Sequence, residues 1–129
     1  MPGLVLEGGT FRPVFSCGVM DALLDNGILF DYVIGVSAGI TYAASYLSRQ
    51  RERNLNVLRQ YRGDKRYLGA RNLLHDHSIF GTDFVFDTIP NQLLPFDWDT
   101  FHSYQGKYLV GVTNAKTGRA EYLNGMCMD

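Results

Sequence analysis

Two glycine-marked stretches carry residue types and spacings that chemistry could use. The first is Gly35-Val36-Ser37-Ala38-Gly39, a serine with a glycine two residues to either side. A serine there can act as a nucleophile if the backbone folds back sharply at it. The turn then pushes Oγ out at the carboxyl edge of a sheet, and glycine is needed where a Cβ would strike the neighbouring strand or helix. The N–H of Ala38, at the start of the helix that follows, would face an oxyanion. The same five residues also suit a plain strand-to-helix packing turn. The second stretch is Glu7-Gly8-Gly9-Thr10-Phe11-Arg12-Pro13. Its glycine pair allows close backbone approach and positive φ.

Other polar groups make weaker cases. His75-Asp76-His77 offers two imidazoles at i, i+2 on an irregular segment with no third ligand in view, so no metal is expected. A histidine base would have to come from His75, His77 or His102. In an α/β-hydrolase arrangement, however, the oxyanion loop lies far upstream of the serine, which the short separation here does not match. Between Arg49 and Arg71 the cations, among them Arg53, Arg59, Arg62, Lys65 and Arg66, outnumber the acids Glu52 and Asp64. That segment reads as a solvated face with a loop, the functional alternative being a basic rim meeting anionic lipid headgroups.

The elements that must position Ser37 follow from local pattern. Gly3–Leu6 reads as a short buried strand. Val14–Asn26 fits a helix, with Pro13 in its first turn and Gly27 as its stop. Phe15, Val19 and Leu23, with Met20 and Leu24, are its expected apolar side. Tyr32–Val36 suits a fully buried parallel strand, and Ile40–Leu47 a helix. This βαβα order predicts an α/β fold with a mainly parallel sheet. Farther on, Asn54–Tyr61 could be a helix. Another starts at Thr82-Asp83, with Pro90 kinking or dividing it. Trp98 and Phe101 read as packing residues. Lys107–Asn114 and Arg119–Leu123 form a hairpin turning at Gly118. A sheet of few strands with nothing to finish it reads as a truncated fold.

The 129 residues suit one domain, and 46% hydrophobic content is enough for a core. A net charge of −1 with mixed signs gives no nucleic-acid groove. Cys17 and Cys127 are too few for a disulfide scaffold and read as reduced thiols in a cytosolic protein. Met1-Pro2-Gly3 leads straight into a strand without a signal peptide, and the longest apolar run, Ile34–Leu47, is too short to cross a bilayer.

Together, the loop Glu7–Pro13, the helix run Gly18-Val19-Met20-Asp21-Ala22-Leu23 and Phe30–Gly39 resemble the patatin-like phospholipases, especially the bacterial members. The likeness continues through Ala43-Ala44-Ser45-Tyr46-Leu47, Val110-Gly111-Val112-Thr113-Asn114 and Thr117-Gly118. The resemblance implies a three-layer α/β/α fold, of which residues 1–129 would be the N-terminal part. It implies a lipid acyl hydrolase with a Ser–Asp dyad and no cofactor, Ser37 being the nucleophile. Gly8, Gly9 and Thr10 would supply oxyanion N–H groups together with Ala38, Gly35 and Gly39 would form the nucleophile elbow, and Arg12 would support the loop. The implied setting is cytoplasmic, with peripheral membrane contact, and an unfinished sheet invites pairing with a second copy.

Three departures stand out. Thr10 replaces the family's third loop glycine. Pro13, which has no N–H, replaces the glycine after the arginine; loss of one oxyanion donor costs roughly 3–4 kcal/mol of transition-state stabilisation. The family's catalytic aspartate sits in an Asp-Gly pair, and no Asp-Gly occurs here. Little turnover is therefore expected of this chain alone. The alternative is a non-catalytic patatin-like module that binds lipid or protein.

Overall fold

The structure is a computed structural model and describes residues 2–127. Contacts divide the chain into two compact units, Met1–Glu52 with Asp97–Asp129, and Arg53–Phe96.

The first unit is built on a four-stranded sheet in the order β1 (Leu4–Leu6), β2 (Tyr32–Val36), β3 (Lys107–Thr113), β4 (Ala120–Asn124). The first three strands are parallel, and β4 returns antiparallel to β3. The expected mainly parallel α/β sheet is present. The hairpin turns at Gly118, whose φ of 68° favours glycine. Helix α1 (Val14–Asp25) follows β1, and α2 (Ala38–Leu47) follows β2. Pro13 caps α1, where its missing N–H costs nothing. At the other end Gly27, at φ 68°, closes the helix: its N–H donates to Leu24 O at 3.0 Å and that of Ile28 to Leu23 O at 2.9 Å.

Pairing register sorts the strand residues onto two faces. Leu4, Leu6, Val33, Gly35, Tyr108 and Val110 share one face. There Leu6, Val33, Tyr108 and Val110 join Tyr42, Ala43, Tyr46, Leu47 of α2 and Phe101 of the short helix Trp98–His102 in the core. Phe101 is thus a packing residue, edge-on to the Tyr108 ring at 6.1 Å. On the other face lie Val5, Ile34, Val36, Leu109 and Tyr122; Val5 is 68% exposed and Tyr122 59%. Strand β2 is therefore buried on one face only, which corrects the expectation of a strand buried on both. Alternation was masked because Val36 and Ile34 on the open face are as apolar as Val33 on the closed one.

The apolar side assigned to α1 also needs correction. Cys17 and Met20 are buried, whereas Phe15 is 80% exposed and Val19 is exposed too. Helix α1 turns Cys17 and Met20 inward, and Phe15, Val19, Ala22 and Leu23 line an open apolar groove with Ile28. An all-round apolar helix gives no unique inward stripe.

The second unit contains α3 (Arg53–Tyr61), the single turn α4 (Asn72–His75) and a π-helical segment, Phe84–Leu93. Pro90 does not divide that last segment. It sits inside the wider winding, which keeps its ring from the carbonyl an α-helix would press against it.

Candidate active site

Serine 37 stands between the C-terminal end of β2 and the first residue of α2. Its backbone has φ 51° and ψ −123°, and the residue is exposed. Positive φ is uncommon for a residue with a Cβ, and a strained conformation of this kind costs on the order of 1–3 kcal/mol. The surrounding packing holds it. A Cβ on Gly35 would lie 2.8 Å from both Gly39 O and Ile40 Cα. One on Gly39 would run into Leu6 O and come within 2.7 Å of Glu7 O. The turn can close only because neither position has a side chain.

The glycine loop comes to the same place. A Cβ on Gly8 would be 2.9 Å from Ser37 Cβ and 3.5 Å from its Oγ, so the Gly8 backbone lies directly against the serine. Gly9 follows at φ 136° and Thr10 at φ 53°. Threonine is β-branched, so Thr10 carries strain that a glycine would not. Arg12 reaches back over the loop: Nη2 donates to Glu7 Oε2 at 3.0 Å and to Gly8 O at 3.3 Å, while its N–H donates to Gly9 O at 2.9 Å. The Arg12–Glu7 pair is exposed and of small energetic weight. Its value is positional, because the guanidinium spans the two residues that bracket the turn. Ala38 opens α2, so its N–H has no intrahelical acceptor and lies beside Ser37. Ser37, Gly8, Gly35, Ala38 and Gly39 are thus brought together.

Two tyrosines that sequence reasoning did not single out position the elbow. The buried Tyr108 hydroxyl donates to Ile40 O at 2.9 Å, pinning the first turn of α2 to β3. Burial pushes its phenol well above the usual range. Tyr46, on α2, donates to Ile28 O at 2.9 Å and accepts from Phe30 N–H at 3.1 Å. It fixes the connection that delivers β2. The only sequence signal for either was a tyrosine in an otherwise apolar run.

Among the described residues, Ser37 Oγ has no carboxylate or imidazole as a hydrogen-bond partner. His75, His77 and His102 are exposed, and no group of three or more His, Cys, Asp or Glu that could hold a metal ion occurs among the described residues. Asp76 instead accepts from the Thr82 N–H at 2.9 Å. Asp129 lies outside the described residues. Among them, no helix is long and apolar enough to cross a membrane.

A mainly parallel sheet thus carries a strained strand-to-helix turn at Ser37, with the Gly8 backbone packed against it. The chain belongs to the patatin-like phospholipase family, which it matches over residues 4–126. That family is of hydrolase type and acts on lipid. Neither the curated proteins nor the solved structures give a significant match.

Proposed function

We propose that this chain provides the nucleophile and oxyanion loop of a lipid acyl hydrolase working through a Ser–Asp dyad. Ser37 Oγ attacks the ester carbonyl while its proton passes to the dyad carboxylate. The N–H groups of Gly8, Gly9, Thr10 and Ala38 meet the oxyanion, and Arg12 holds the loop. The tetrahedral intermediate collapses by breaking the ester C–O bond, the alcohol leaves with the proton, and water then hydrolyses the acyl-enzyme. The observation that carries this reading is the Gly8 backbone packed against a serine at φ 51°. No residue of this chain is assigned as the aspartate, so the 129 residues by themselves should turn over slowly. The free thiols Cys17 and Cys127 support a cytoplasmic setting, and the lipid substrate a peripheral one.

Intact-mass spectrometry after treatment with a fluorophosphonate tests the role of Ser37. One adduct is expected, absent from Ser37→Ala and forming faster as pH rises, because solvent hydroxide stands in for a base. No adduct, even where a longer chain supplies the aspartate, would favour the non-catalytic module, in which Thr10 and Pro13 obstruct the oxyanion site.

A further inference from the structure

The unit Arg53–Phe96 presents an apolar knob beside unpaired cations. Leu74 is 80% exposed, Leu73 47% and Ile79 49%. These side chains do not stand on a frayed loop. Asn72 Nδ2 donates to Lys65 O at 3.3 Å and to Ile79 O at 3.2 Å, and Gly69 N–H donates to Ile79 O at 2.9 Å. Leu68 and Phe80 form a β-bridge, and the Tyr67 and Phe80 rings meet edge to face at 6.1 Å. A Cβ on Gly69 would come within 2.7 Å of Lys65 O. Residues 65–80 are therefore a closed clasp, with α4 held so that its two leucines point out.

The charge around the clasp has a small positive excess. The unit has six Lys and Arg (Arg53, Arg59, Arg62, Lys65, Arg66, Arg71) against four Asp (Asp64, Asp76, Asp83, Asp87), in a chain whose net charge is −1. Asp64 pairs with Arg66 at 2.7 Å, whereas Asp76 accepts from the Thr82 N–H and keeps its charge. Among the described residues, Lys65 and Arg71 have no carboxylate within ion-pair distance. Adjacent outward leucines flanked by unneutralised cations suit the boundary between acyl chains and anionic headgroups, where both kinds of side chain are satisfied at once. A small soluble anion would leave the leucines in water.

We propose that Leu73 and Leu74, with Lys65 and Arg71, form the surface by which this protein docks on an anionic bilayer. The leucines enter the acyl boundary and the cations meet lipid phosphates. The proposal rests on the lipid-substrate reading above and gives it a point of attachment.

Flotation of the full chain with vesicles of phosphatidylcholine, with and without phosphatidylglycerol, tests it. Binding is expected only with phosphatidylglycerol, and it should weaken as salt rises. Arg71→Glu should lower partitioning at least roughly fivefold, the weight of one cation near an anionic surface. The double variant Leu73→Ser, Leu74→Ser should lower it about tenfold or more with an unchanged far-UV spectrum, since both positions are exposed. Equal binding to neutral vesicles, no binding, or variants that bind like the parent would overturn the proposal. So would a parent that dimerises through these leucines without binding lipid. Ser37→Ala must float like the parent, and the leucine variant must still take the phosphonate. Failure of docking and failure of the hydrolase reading are thereby read separately.

Discussion

Serine 37 holds an uncommon conformation because three neighbours leave it no other. Gly8, Gly35 and Gly39 each bring backbone to within the reach of a missing Cβ. Alanine shares the Cβ of serine and glycine does not, so the strain can be measured by difference. Ser37→Gly should be more stable to urea than Ser37→Ala by about 1 kcal/mol, the relief of positive φ being partly offset by the greater freedom of glycine in the unfolded chain. Equal midpoints would mean that the turn is not strained at this residue.

At the scale of elements, the elbow is fastened through α2. The Tyr108 hydroxyl bonds to Ile40 O, three residues beyond Ser37. Tyr108→Phe should cost about 1 kcal/mol of stability, from thermal or urea melts. It should also slow phosphonate labelling of Ser37, which a purely structural tyrosine elsewhere would not do. Helix α1 supplies a second check through Cys17. Burial pushes this thiol up to about 11, with Asp21 adding to the effect. The folded state therefore keeps its proton above the ordinary 9.0 of the unfolded thiol. The stability this lends is complete below 9.0 and is lost as pH climbs through about 11. At neutral pH, iodoacetamide should modify the exposed Cys127 and spare Cys17, with both modified in urea.

At the scale of the molecule, the sheet is the asymmetric part. The sheet buries Val33, Tyr108 and Val110 beneath α2, yet leaves Val5 of β1 and Tyr122 of the antiparallel β4 open on the reverse face. Parallel sheets are ordinarily covered on both faces. The native protein should accordingly bind an apolar dye such as anilinonaphthalene sulfonate before any unfolding transition. Val5→Ser with Tyr122→Ser should reduce that fluorescence without lowering stability by more than about 0.5 kcal/mol, since neither side chain is packed.

Wherever the chemistry is local, the amino-acid order was enough. The glycines at 8, 35 and 39, the stop at Gly27, the hairpin turn at Gly118 and the strands β1 to β3 all follow from which residues can take a given φ or avoid a given clash. The approach of Gly8 to Ser37 was legible only through family resemblance, because nothing local relates two loops separated by a helix. Facing was not legible. Which side of α1 turns inward, which face of β2 is covered and whether Pro90 breaks its helix depend on what packs against each element. An apolar side chain carries no record of its partner. The tertiary structure decided these, and it also disclosed Tyr46 and Tyr108, whose hydroxyls matter only because a carbonyl distant in sequence lies within reach.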